Sequence, residues 1–106
     1  IMQDHFRAWT RASHHTVAVC NDCHTPPGVI AKYVTKAQNG FWHSFYFTTG
    51  RYPDPLQITA RNRAVLERAC RKCHAELTES IDPAHTGSAR DGLACARCHY
   101  DVGHLE

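Results

Sequence analysis

The sequence has no apolar run approaching the roughly 18 residues of a membrane-spanning helix. It is polar on average, with a mean hydropathy of -0.47 and 42% hydrophobic residues. The 106 residues therefore read as one domain, 1–106, with a thin core and no span of their own. Strand-period alternation is missing too, which argues against a sheet and against the strand–helix–strand setting of a thioredoxin-like redox pair. Charge of one sign is also scarce: 12 Lys and Arg against 10 Asp and Glu leave a formal +2. That balance gives no reason to expect a nucleic-acid partner. No initiator Met and no signal peptide open the chain at Ile1, so a processed or cropped chain is expected.

No cysteine is left unexplained either. All six fall in three copies of one phrase: Cys20-Asn21-Asp22-Cys23-His24, Cys70-Arg71-Lys72-Cys73-His74 and Cys95-Ala96-Arg97-Cys98-His99. Each is C-x-x-C-H, the attachment motif of a c-type haem. The two thiols, about one helical turn apart, add across the porphyrin vinyl groups, and the adjacent His binds the iron. Zinc sites, a redox dithiol and a disulfide framework compete with this reading. None of them needs a His after every second Cys. With His at 9 of 106 residues, chance would give that arrangement roughly six times in ten thousand. The expectation is three haems c on Cys20, Cys23, Cys70, Cys73, Cys95 and Cys98, with His24, His74 and His99 as proximal ligands. Buried porphyrins would supply the apolar mass that the polypeptide lacks.

Along the chain, Phe6, Trp9 and Ala12 suggest an amphipathic helix over residues 4–13. Pro27 can open a second helix carrying Val29, Ile30, Tyr33, Val34 and Ala37 on one side, with a stop at Asn39-Gly40. Residues 41–47 hold five aromatics in seven and read as a further helix ending at Gly50. This stretch is either haem and core packing or a membrane-interface belt or quinone-site wall. Thr59 is a candidate N-cap for a long helix to about Ser80, with Ile58, Val65, Leu66, Ala69, Cys73 and Leu77 inward. A loop from Asp82-Pro83 leads to a short helix with the third motif. The predicted fold is mainly α with long loops, short helices around stacked haems and no sheet.

Nine His less three proximal ones leave His5, His14, His15, His43, His85 and His104. A low-spin electron-transfer haem takes a second axial ligand, usually His or Met, so these six and Met2 are the distal candidates. His104 lies too close to His99 to reach the opposite face of that haem and is expected to serve another.

The segment Cys20-Asn21-Asp22-Cys23-His24-Thr25-Pro26, with Ala31-Lys32 and Lys36-Ala37 after it, resembles the NapC/NirT family of membrane-anchored quinol dehydrogenases. The NrfH-type members, small subunits of cytochrome c nitrite reductase, are the branch it is most similar to. The resemblance covers the whole chain, including the spacing of all three motifs and His104. It implies four haems c and an N-terminal membrane anchor, so the anchor and first haem motif are expected upstream of Ile1. Met2 then matches a ligand of that first haem. Lys36 and His43 match positions lining a quinol site, with His43 alternatively a haem ligand. His15 matches a distal ligand, assigned to the His74 haem, and His104 one assigned to the His24 haem. His85 is the candidate for the His99 haem. His5 and His14 are left as structural residues.

The resemblance further implies a position on the periplasmic side of the bacterial inner membrane. The chain would pass electrons from menaquinol to a multihaem catalytic subunit, an ammonium-forming nitrite reductase in the leading reading, with no catalytic residue of its own. A soluble trihaem shuttle, and a quinol dehydrogenase serving a nitrate, N-oxide or hydroxylamine-type enzyme, are the alternatives.

Overall fold

Phe6 and Trp9 stand three residues apart on the first helix, α1 (Gln3–Trp9). The computed structural model describes residues 2–81 and 94–104. Within them every regular element is helical and no strand forms. Helix α1 is shorter than the periodicity over 4–13 predicts. The Thr10 hydroxyl turns back to the Arg7 carbonyl at 2.7 Å, the local competition by which Thr and Ser end helices. The chain then continues in turns, and Trp9 Nε1 donates to the Ala18 carbonyl across them at 3.2 Å. This bond ties α1 to the residues just before the first Cys pair.

Helix α2 (Cys20–His24) is the first motif itself. The Val19 N–H donates to the Asp22 carboxylate at 2.9 Å. That closes the N-terminus and sets a negative charge in the first turn, where the helix dipole favours it. Gly28, at φ 90°, then provides the N-cap of α3 (Val29–Thr49). Pro27 therefore sits one residue outside the cap and is not the first helical residue.

Helix α3 runs through Asn39-Gly40 without a break, so the predicted stop there is corrected. A mid-helix Gly costs only about 0.5–1 kcal/mol against Ala, less than the ordered turns on either side supply. The aromatic stretch continues the same helix. Gly50 closes it in the left-handed region at φ 66°, and the Arg51 N–H returns to the Tyr46 carbonyl at 2.9 Å.

Thr59 caps α4 (Ala60–Cys73), its side chain accepting from the Asn62 N–H at 3.3 Å. The single helix expected to reach Ser80 is broken at His74, which leaves helical geometry at φ -107°, ψ 32°. A separate helix, α5 (Ala75–Ile81), follows. The third motif forms α6 (Cys95–Cys98). Helix α4 is the hub, packing against α2, α5 and α6. Helix α3 is tied to it by Arg61, whose guanidinium bonds Gln38 Oε1 and, at 2.6 Å, Asn39 Oδ1.

Among the described residues the polypeptide buries two hydrophobic side chains, Val65 and Ala69, together with Thr35 and Glu67. Val29, Ile30, Tyr33 and Val34 on α3, and Leu77 on α5, remain exposed although their pattern reads as core. The radius of gyration is 14.6 Å, against about 13 Å for a close-packed chain of this length. The thin polypeptide core is as the composition requires.

Candidate haem-binding site

Each Cys pair occupies one helical turn, which puts its two thiols on one side of a short helix. Each motif His falls where that helix ends. His24 is the last residue of α2, and His74 and His99 are the C-caps of α4 and α6. All six cysteines are free thiols and form no disulfide. Among the described residues, no three His, Cys, Asp or Glu side chains converge on a point that would hold a metal ion. A structural zinc would need four such ligands.

Two of the three motif histidines face a second histidine ring. His24 and His104 lie with ring centroids 5.9 Å apart and planes 1° from parallel. His74 faces His14 at 6.0 Å with planes at 73°. A metal held between two imidazoles by bonds of about 2 Å would separate their centroids by about 6 Å. Both separations match that figure. The Ser13 hydroxyl meets His14 Nδ1 at 3.2 Å. A proton on that nitrogen, donated to Ser13 Oγ, leaves the Nε2 lone pair for iron, the usual outer-sphere arrangement around a metal-bound His. Burial of the ring, then the nearby His104, lowers the His24 pKa. Both favour the neutral imidazole, which is the ligating form.

The placement of the other candidates is mixed. His104 also touches His5, with ring centroids 5.0 Å apart and an edge-on approach. His15, matched above to the His74 haem, packs edge-on against Trp9 at 4.7 Å, while its neighbour His14 takes the place facing His74. His85 lies outside the described residues. Met2 is exposed ahead of α1. Lys36 and His43 are seven residues apart on α3, two turns and about 10 Å along one face, and both are exposed. Their shared face depends on the helix being unbroken at Gly40.

The thiols gather around α4. Burial, then Asp22 and Cys73, raises the Cys23 pKa. Burial, then Cys95 and Glu67, pushes Cys70 up to about 11. Burial, then a hydrogen bond from Cys95 to Glu67, raises Cys95. Glu67 was not among the candidates, since an acidic residue in an amphipathic helix reads as solvated. It is 6% exposed. Its Oε2 accepts the Cys95 N–H at 2.8 Å and its Oε1 the Ala96 N–H at 3.3 Å.

The fit to haem c is thus carried by three motifs on three helix ends, two facing His pairs and a largely unburied apolar complement. Comparison with known proteins agrees. Residues 1–106 match the NapC/NirT cytochrome c family, N-terminal region. The chain is 32% identical over 112 residues to the cytochrome c-type protein NrfH of Wolinella succinogenes, covering 98% of this chain and 63% of that protein. It is 31% identical over 104 residues to the denitrification system component NirT of Stutzerimonas stutzeri, covering 82% of this chain and 52% of that protein. A chain of the crystal structure of the cytochrome c nitrite reductase NrfHA complex bound to the HQNO inhibitor superposes with a TM-score of 0.70. That match is 25% identical and covers 98% of this chain and 68% of the other.

Proposed function

Because the chain belongs to the NapC/NirT cytochrome c family, we propose that it is the electron-transfer part of a quinol dehydrogenase. It would take electrons from membrane menaquinol and deliver them to a docked periplasmic reductase. An ammonium-forming cytochrome c nitrite reductase is the partner this reading favours, because similarity extends to NrfH and to a chain of the NrfHA complex. The observation that carries the proposal is the His24–His104 pair, 5.9 Å apart and parallel. Two histidines holding one iron would leave no position for substrate, which suits electron transfer and not turnover there.

Haem c, when bound, supplies reversible one-electron chemistry. The residues of the chain do the rest. The six motif cysteines fix the groups covalently. His24 and His104 would hold one iron, His74 and His14 a second, and His99 the third. Assigning His14 to the His74 site replaces the expectation for His15, and rests on the ring pairing and on Ser13 orienting the imidazole. His85 remains the candidate opposite His99. Met2 would ligate a fourth haem of the full-length protein, which would also carry the membrane anchor and stand on the periplasmic side of the inner membrane. The relatives are longer than this chain, which spans 63% and 52% of the two curated ones.

Quinol oxidation releases two electrons and two protons. Lys36 would bind a quinol oxygen through its side-chain nitrogen, and His43 would accept a proton as a general base. The test uses the full-length protein in membrane vesicles with its catalytic partner. Lys36→Ala and His43→Ala should each slow quinol-driven reduction at least tenfold while leaving haem content and dithionite-reduced spectra unchanged. Unchanged quinol rates in both variants would remove the quinol site from α3. Similarity to NirT favours a second reading, a quinol dehydrogenase serving a different periplasmic enzyme. Identifying the catalytic subunit that co-purifies decides between them.

A further inference from the structure

Helix α6 is four residues long, and its N-cap Ala94 offers no side-chain acceptor. A helix start leaves backbone N–H groups without partners, and burying them unpaired is costly. Here the acceptor comes from another helix. Glu67 of α4 reaches across 28 residues of sequence and receives the first two N–H groups of α6, those of Cys95 and Ala96. Its carboxylate does for α6 what an N-cap side chain does locally. Because Glu67 also stands one turn before Cys70 on α4, it links the attachment thiols of the second and third motifs.

We propose that Glu67 is a positioning residue: its buried carboxylate clamps the third haem-attachment motif against the second and, by its charge, holds the haems at both motifs at lower potential. The proposal rests on the haem reading above and adds a role for a residue outside the motifs. Three observations carry it.

The first is geometric. A carboxylate accepting two successive backbone N–H groups fixes both the place and the direction of a helix start. Cys95 is therefore held relative to Cys70, and the spacing of the two attached groups follows. These backbone bonds survive attachment, whereas the bond between the Cys95 thiol and Glu67 ends when sulfur becomes a thioether. The second is burial. A carboxylate 6% exposed is poorly screened, so its charge acts on nearby irons more strongly than a surface charge would. The third is the surroundings. Glu67 acts electrostatically on both the Cys70 and Cys95 sulfurs, which places the charge beside two attachment points at once. A fixed negative charge favours the ferric over the ferrous state, so it lowers the potential. Arg71, one turn further along α4, also acts on Cys95 and offsets part of that field.

The test compares Glu67→Gln, Glu67→Asp and unmodified full-length protein, all loaded with haem. Gln keeps the shape, loses the charge and presents an N–H2 group to one of the two backbone donors. The covalent haem count is read by intact mass, and the potentials by a spectroelectrochemical titration. Glu67→Gln should keep every haem and shift the titration of two of them upward. At a fixed potential the ferrous-to-ferric ratio should rise at least threefold, equivalent to about 28 mV for a one-electron couple. Glu67→Asp should keep the potentials near those of the unmodified protein. Potentials unchanged in the Gln variant would overturn the proposal. Should Glu67→Gln fail to load the third haem, the Asp variant decides. Restored loading supports the clamp, and lost loading assigns Glu67 to folding alone and overturns it. An unmodified protein without covalent haem would instead sink the haem reading itself.

Discussion

Replacing His14 separates two neighbouring histidines that a sequence cannot tell apart. The His14 and His74 rings are 6.0 Å apart with planes at 73°, while His15 lies 4.7 Å from Trp9. In His14→Ala the His74 iron loses one of two axial nitrogens. One of the three haems that this chain's motifs can attach should pass from low-spin to high-spin. The interplanar angles say which signal is lost. Nearly perpendicular imidazoles give a highly anisotropic ferric signal with one large g value, and parallel ones a rhombic signal. His14→Ala should therefore remove the highly anisotropic component and leave the rhombic one that the parallel His24–His104 pair predicts. Added imidazole should restore the low-spin state. His15→Ala should leave both signals in place. It loses an edge-on contact with Trp9, worth about 0.5–1.5 kcal/mol, and so lowers stability alone. The assay is low-temperature electron paramagnetic resonance on the oxidised, full-length protein. An unchanged spectrum for His14→Ala, with loss of a low-spin signal in His15→Ala, would refute the assignment and with it the pairing rule used here for both sites.

His104→Ala is the complementary variant: the rhombic signal should vanish, the anisotropic one remain, and the high-spin charge-transfer band appear in the optical spectrum. A spectrum like that of the unmodified protein would strike His104 from the ligands. Gly40→Ala probes α3. An added Cβ there meets nothing within 4 Å, so the substitution should stabilise the full-length protein by about 0.5–1 kcal/mol in reversible denaturation. A loss of similar size would mean that the helix does bend at Gly40.

The mainly helical fold and the family were legible because their signals are local. Covalent attachment needs two thiols and a His within five residues, so the chemistry is written out in consecutive letters. Helix ends were legible where one side chain or one φ sets them, as at Thr59 and Gly50. Other features depend on partners distant in sequence. Asn39-Gly40 reads as a stop on propensity, yet the turns to either side carry the helix through. His74 ends α4 because the chain turns at the end of the motif, which apolar periodicity does not record. His14 and His15 sit together in a turn with no period, and what separates them is their ring neighbours elsewhere in the fold, His74 for His14 and Trp9 for His15. Glu67 was hidden for the same reason. Its acceptors' partners are backbone N–H groups 28 and 29 residues away, and backbone carries no sequence signature.

The crowding of sulfur around α4 also bears on how such a protein is made. Cys73 acts on Cys23, and Cys95 on Cys70, so thiols of different motifs are near enough for one to feel another's charge. The folded arrangement thus offers each thiol wrong partners as well as the right vinyl group. In an oxidising compartment a chain that collapsed before it was loaded would be open to cross-linking between motifs, and each such bond would block two attachment sites. Biogenesis is then a race between oxidation and ligation, won most safely by a chain kept reduced and extended until every sulfur is spent.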